Sequence, residues 1–227
     1  MTRMNPPRAR LVLFDLDGTL VDSAADLASA ANQALADVGH ARRPLAEIRA
    51  FIGNGAERLI HRCLTGQRDA DADPALQHTT SLRFQAHYAN CLLARTRPYP
   101  GVLETLNKLA AQDVLLGCVT NKPERFTLPL LQGLRLAHYF KVTLSGDSLA
   151  QKKPDPAPLL KAAQDCAVAV ADTVMVGDSM ADLTAARAAG MRIFCVSYGY
   201  AADVDLTQHR PDAYVDRIRD ILPLLIR

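Results

Sequence analysis

Residues 11–23 read LVLFDLDGTLVDS, a run of large apolar side chains that ends in two acids around one leucine and then Gly18-Thr19. The run at 11–14 is short and apolar throughout, as expected of a strand buried on both faces of a covered sheet. Asp15 and Asp17 therefore stand where that strand stops. Two carboxylates crowded at the exit of a buried element repel each other. A purely structural role leaves that crowding unexplained, and the strand end is read as a site.

Outward from this stretch, further strand candidates lie at 114–119, 141–144, 173–176 and 192–196, with helix-like stretches ending at glycine between most of them. That alternation predicts an α/β fold with a mainly parallel, doubly wound sheet. Helical periodicity is clearest over 24–38, where Leu27, Ala31, Ala34, Leu35 and Val38 fall on one stripe, Ser23 is placed to cap the start and Gly39 to end it. Between Asp22 and Arg97 only helical patterns follow, at 45–51, 56–64 and 75–93, separated by GNG and by TGQRDADADP. A parallel sheet does not continue through so much helix. The expected organisation is a core of residues 1–21 and 97–227 with an inserted α-helical cap subdomain of residues 22–96.

At 227 residues the chain exceeds the usual single-domain length of roughly 100 to 150. A hydrophobic fraction of 49%, 22% charged residues and a net charge of +2 without a basic block argue against nucleic acid as a partner. No segment approaches the roughly 20 apolar residues that span a membrane. The basic start MTRMNPPRAR is followed by too short an apolar run to act as a signal peptide, so a cytoplasmic location is expected. Cys63, Cys91, Cys118, Cys166 and Cys195 show no CxxC spacing and read as reduced, mostly buried side chains. Monomer and homodimer both stay open.

Four polar clusters follow strand or loop ends: Asp15, Asp17 and Thr19; Thr120 and Asn121; Lys152 and Lys153 in QKKPDP; Asp178 and Asp182 in VGDSMAD. Each alone has a plainer reading as turn, solvated loop or helix cap. Ligands of open α/β sheets bind outside the carboxyl ends of the strands, so the four together are expected to share one pocket. Asp15, Asp17 and Asp178 offer hard oxygen ligands suited to Mg²⁺. Asp15, held ionised by metal and lysine, is then placed to attack phosphorus. Gly18 lets the chain leave strand geometry, so Asp17 swings independently, protonates the leaving alkoxide and later takes a proton from water. Thr120 is expected to donate its hydroxyl, and Asn121 its backbone N–H, to phosphate, while Lys153 supplies positive charge, with Lys152 as the competing choice.

DLDGT, VTN, KKPDP and VGDSMAD resemble, in this order, the four motifs of the haloacid dehalogenase-like phosphatase superfamily. The resemblance implies a Rossmann-like core, a helical cap inserted after the first motif and Mg²⁺-dependent phosphoryl transfer through Asp15. It also implies that Asp15, the backbone carbonyl of Asp17 and Asp178 hold the metal, with Asp182 in support. Because an acid stands at Asp17, the pattern is that of a phosphatase rather than a dehalogenase. FIGNGAERLI, VTNKPERF, KKPDPAPLL and YGYAADVDL extend the likeness to the bacterial phosphoglycolate phosphatase family. That closer resemblance implies hydrolysis of 2-phosphoglycolate, a small-molecule phosphate monoester, to glycolate and phosphate.

In the expected cap, GNGAER sets glycines before a helix whose free N–H groups form an anion site, with Asn54 and Arg58 as the candidates to read a substrate carboxylate. Lys122 and Arg125 stand near the second cluster, a source of positive potential for an anionic substrate, but read more simply as ordinary helix-start charges and stay outside the expected site. His61, His78, His87 and His138 have no metal-site spacing. A sugar or amino-sugar phosphatase, or a phosphomutase, is the alternative on the same catalytic core. A non-enzymatic binding protein is expected to have lost Asp15 or Asp17, and both are present.

Overall fold

β1 (Leu11–Phe14) is the axis of the computed structural model, which describes residues 9–200 and 204–226. Residues 1–8 of the basic N-terminal stretch and residues 201–203 of the YGYAADVDL segment thus fall outside the described residues. After β1 come β2 (Val21–Asp22), α1 (Ala24–Asp37), α2 (Leu45–Phe51), α3 (Ala56–Thr65), α4 (Pro74–Cys91) and β3 (Arg97–Pro98). The chain continues through α5 (Val102–Ala110), β4 (Leu115–Val119), α6 (Glu124–Gly133), β5 (Val142–Leu144) and α7 (Ala157–Asp165). It then runs through β6 (Thr173–Gly177), α8 (Met180–Ala189), β7 (Arg192–Val196), β8 (Ala213–Val215) and α9 (Leu222–Leu225).

Six strands form one parallel sheet in the order β5-β4-β1-β6-β7-β8. The side chains of β1 alternate between two cores, Val12 and Phe14 joining one and Leu11 and Leu13 the other. α5 and α6 pack on the first face, α7 and α8 on the second. Burial on both faces explains why the run carries no polar alternation. Each such side chain contributes about 1.5–3 kcal/mol. The fold is therefore α/β and Rossmann-like, with β1 at its centre.

Between β1 and β4, helices α1 to α4 pack on one another, and the chain crosses to and from them through β2 and β3, which pair antiparallel. Asp26, fully buried in the first turn of α1, ties the return crossing. It accepts from the Arg95 N–H at 2.9 Å, the Thr96 N–H at 2.8 Å and the Thr96 hydroxyl at 2.8 Å. Two details differ from the sequence reading. The two-residue strands β2 and β3 and the edge strand β8 are absent from it, β8 carrying one buried side chain between Asp212 and Asp216. Ser23 precedes α1 but makes no side-chain cap. The Tyr200 hydroxyl accepts from the Ser23 and Ala24 N–H groups at 2.7 and 3.1 Å instead, and the Ser23 hydroxyl is directed to Asp17. No helix among the described residues is long and apolar enough to cross a membrane.

Candidate active site

Asp15 continues the β1 ladder by one residue, its N–H donating to the Val176 carbonyl at 2.9 Å. Its Oδ1 accepts from the Leu16 N–H at 2.7 Å and pairs with Lys153 Nζ at 2.9 Å. Lys153 also donates to Asp182 Oδ1 at 2.7 Å and to the Val119 carbonyl at 2.6 Å, so its three N–H bonds are engaged. Asp182 serves two structures at once. Its Oδ2 accepts from the Ser179 N–H at 3.1 Å in the capping box that opens α8, while Oδ1 faces Lys153. Asp178, at the end of β6, accepts from the Thr19 hydroxyl at 2.9 Å and the Tyr200 N–H at 2.7 Å.

Gly18 makes this approach possible. Its φ is +88°, and a Cβ there would stand 2.3 Å from Asp178 Oδ2. The loop after β1 therefore needs glycine both for its backbone and for the room it leaves to the second carboxylate.

Asp15, Asp178 and Asp182 are buried, with carboxylate oxygens within 4.8 Å of one another. With all three ionised, the carboxylates exceed the single ammonium of Lys153 by two negative charges. Burial lifts the Asp15 carboxyl to about 6, Lys153 opposing and Asp182 adding to the rise. Burial, then Asp15 and Asp182, push Asp178 well above the carboxylate range. On Lys153, burial works against the charge, but Asp15 and Asp182 outweigh it and raise the ammonium. A hard oxygen donor set with two uncompensated charges fits a divalent cation.

The chain places Thr120 and Asn121 at the end of β4, on the wall of a cleft that Asp15 and Asp17 also line. The Thr120 oxygen accepts from the Lys122 N–H at 3.2 Å, which leaves its proton to donate into the cleft. Asn121 Nδ2 spans to the Lys153 carbonyl at 2.8 Å and to the Gly53 carbonyl, across on the inserted helices, at 3.2 Å. Lys152, the competing lysine, is exposed on the outer rim and does not reach Asp15. The Asp17 carboxylate is held by groups other than Asp15. It accepts from the Ser23 hydroxyl at 2.5 Å and pairs with Lys122 Nζ at 3.0 Å.

On the opposite wall the structure separates two sequence candidates from the cleft. Arg58 Nη1 pairs with Asp71 at 2.5 Å and its Nη2 donates to the Arg68 carbonyl at 3.0 Å. Asn54 Oδ1 accepts from Arg62 at 3.0 Å. Both side chains line the outside of the loop, whereas Gly53, Gly55 and Ala56 line the cleft itself. Lys122, read from sequence as a helix-start charge, lines the cleft instead, with Tyr88 of α4 at 2.7 Å. Its signal is tertiary, since α4 and the loop after β1 converge on it from distant sequence.

Residues 12–196 match the family model of haloacid dehalogenase-like hydrolases. The phosphoglycolate phosphatase of Nitrosospira multiformis is 46% identical over 220 residues, covering 97% of this chain and 97% of that protein. That of Thiobacillus denitrificans is 44% identical over 215 residues, covering 95% of each. A crystal structure from Haemophilus somnus, described as a predicted phosphoglycolate phosphatase, superposes with a TM-score of 0.89 at 34% identity. It covers 96% of this chain and 98% of its own. With its central β1, its strand-end polar residues gathered around Asp15 and this match over most of its length, the chain belongs to the haloacid dehalogenase-like hydrolases.

Proposed function

We propose that the chain is a Mg²⁺-dependent phosphatase that hydrolyses 2-phosphoglycolate to glycolate and phosphate through an aspartyl-phosphate on Asp15. The observation that carries the reaction type is the buried cluster of Asp15, Asp178, Asp182 and Lys153 beneath a cleft lined by Asp17, Thr120 and Asn121. The substrate rests on the relatives, which carry the name phosphoglycolate phosphatase over nearly the whole chain.

Asp15, the Asp17 carbonyl and Asp178 would hold Mg²⁺, with Asp182 fixing Lys153 and the start of α8. Bound there, the ion supplies charge to orient the phosphate and keep Asp15 ionised. Asp15 attacks phosphorus, and the phosphoryl group gains hydrogen bonds from the Thr120 hydroxyl and the Asn121 N–H. Lys153 keeps Asp15 aimed and offsets charge on the transferring group. Asp17, in its protonated form and turned from its hydrogen bond to Ser23, gives its proton to the glycolate oxygen and regains one from the water that releases phosphate. The backbone of Gly53, Gly55 and Ala56, rather than the side chains of Asn54 and Arg58, faces the substrate from the inserted helices. Five free cysteines suit a cytoplasmic setting.

A substrate panel tests this reading. With Mg²⁺, 2-phosphoglycolate is expected to exceed hexose phosphates, amino-sugar phosphates and pyrophosphate in kcat/KM. A hexose phosphate in first place would move the assignment to sugar phosphate chemistry on the same core.

A further inference from the structure

A substrate with both a phosphate and a carboxylate calls for a second anion subsite, where a cation binds more strongly than neutral donors alone, and most cations near the cleft are committed elsewhere. Lys153 spends its three N–H bonds on Asp15, Asp182 and the Val119 carbonyl. Arg58 is held by Asp71 outside the cleft. Arg49 sits over the Tyr200 ring at 4.8 Å and reaches Asp22 at 3.4 Å. Among the described residues lining the cleft, Lys122 is the one cation.

Lys122 is 5% exposed and stands between the two walls. Its Nζ reaches both oxygens of Asp17, at 3.0 and 3.2 Å, and the Tyr88 oxygen at 2.7 Å. Accepting that bond leaves Tyr88 its own proton, for which the described residues offer no acceptor. Tyr88 is 1% exposed and is fixed by stacking on Phe84 at 5.5 Å and by edge contact with Phe126 at 5.0 Å. The cleft thus holds a buried ammonium and a buried, unspent hydroxyl donor side by side, within an otherwise apolar wall of Leu27, Ile52, Leu59 and Phe84. A carboxylate is the group that such a pair receives, because charge-assisted bonds gain most where water is excluded.

Resting on the phosphatase reading above, we infer that Lys122 and Tyr88 receive the carboxylate of 2-phosphoglycolate and so select it over phosphate esters without one. The carboxylate takes over one of the two Asp17 contacts on Lys122, which loosens Asp17 toward the leaving oxygen. Recognition of the acid end is thereby linked to release of the proton donor.

The test compares KM and kcat of Lys122→Met and Tyr88→Phe on 2-phosphoglycolate and on p-nitrophenyl phosphate, which has no carboxylate and a leaving group that needs little protonation. Lys122→Met is expected to raise KM for 2-phosphoglycolate roughly 10- to 100-fold, as for loss of a charged hydrogen bond. Tyr88→Phe, which keeps the ring packing and guards against misfolding of the lysine variant, is expected to raise it about 3- to 10-fold. KM for p-nitrophenyl phosphate is expected to stay within about threefold in both, the difference expected when binding of one group alone is lost. A KM for 2-phosphoglycolate unchanged in Tyr88→Phe, or a rise shared by both substrates, overturns the assignment of the carboxylate to this pair. A wild-type enzyme that turns over p-nitrophenyl phosphate but not 2-phosphoglycolate fails differently, removing the substrate reading on which the inference stands.

Discussion

Asp15 and Tyr88 line one cleft from opposite sides, and their surroundings are built differently. On the Asp15 side, the strand ends of β1, β4 and β6 and the start of α8 are knitted by contacts of 2.6 to 2.9 Å, among them Lys153 with Val119, Asp182 and Asp15. The inserted helices meet the core through single, scattered bonds of mixed length, Lys122 reaching Tyr88 at 2.7 Å and Arg125 reaching Gln85 at 2.6 Å. Asn121 reaches Gly53 at 3.2 Å, and Arg49 reaches Tyr198 at 3.3 Å and Tyr99 at 3.4 Å. A reacting centre gains from groups held by rigid elements and their hydrogen-bonded neighbours. A wall that must admit and release substrate gains from contacts that part easily. On the proposed function, phosphoryl chemistry falls to the first side and selection to the second.

The sharpest way to break it is Asp15→Asn. Loss of at least about 10⁴-fold in kcat is expected on every phosphate ester, as for removal of a nucleophile. The fold is expected to survive in chelator. Burial holds the Asp15 carboxyl up at about 6, so its ionised form costs stability at neutral pH and an amide removes that cost. Turnover with a panel of esters and a thermal melt check both halves.

Gly18→Ala probes the same side through the backbone. A Cβ 2.3 Å from Asp178 Oδ2, at a φ of +88°, forces that carboxylate or the loop to move. A displacement of this kind is expected to lower kcat by about 10²-fold. Loss confined to KM would instead place Gly18 in substrate selection.

Asp26→Ala strikes the crossing to the inserted helices rather than the chemistry. Burial pushes the Asp26 carboxyl up, but hydrogen bonds from Arg95 and Thr96 outweigh it and hold it below the usual range. Its contribution is therefore present above the unfolded value of 3.8 and lost as pH falls through the lower folded value. At pH 7 the variant is expected to lose about 3 kcal/mol in urea unfolding, with the gap to wild type closing under acid conditions. A gap constant with pH would mean that the carboxylate charge plays no part.

How much of this was legible in sequence follows the same division. Asp15, Thr120, Lys153 and Asp178 each stand directly after a buried run or in a proline-marked loop, so local pattern and the strand-end rule brought them together. β7 was legible to the residue because four of its five side chains are buried, whereas β8 has one buried side chain and stands between Asp212 and Asp216. Ser23 fitted a helix cap, yet its hydroxyl is taken by Asp17 and the Tyr200 hydroxyl caps the helix from 176 residues away. Lys122 escaped for the same reason. Its partners are 34 and 105 residues distant, and no local signal separates a buried ammonium from a helix-start charge. Asn54 and Arg58 fitted an anion loop by spacing, but orientation decides which face of the loop a side chain joins.

Arg58→Ala gives the smallest expected effect and sharpens the selection side. Its partner Asp71 is 76% exposed, and a pair of this kind contributes little. KM for 2-phosphoglycolate is expected to stay within about threefold, since exposed pairs stabilise by at most about 1 kcal/mol. A rise beyond tenfold would return Arg58 to the substrate carboxylate.

The most direct measurement is the location of the phosphoryl group during turnover. Enzyme mixed with Mg²⁺ and 2-phosphoglycolate, quenched in acid within the first turnovers and digested, is expected to carry an acid-stable, hydroxylamine-labile phosphoryl group on the peptide containing Asp15. A phosphoryl group on another residue, or active turnover with none on Asp15, would contradict the account.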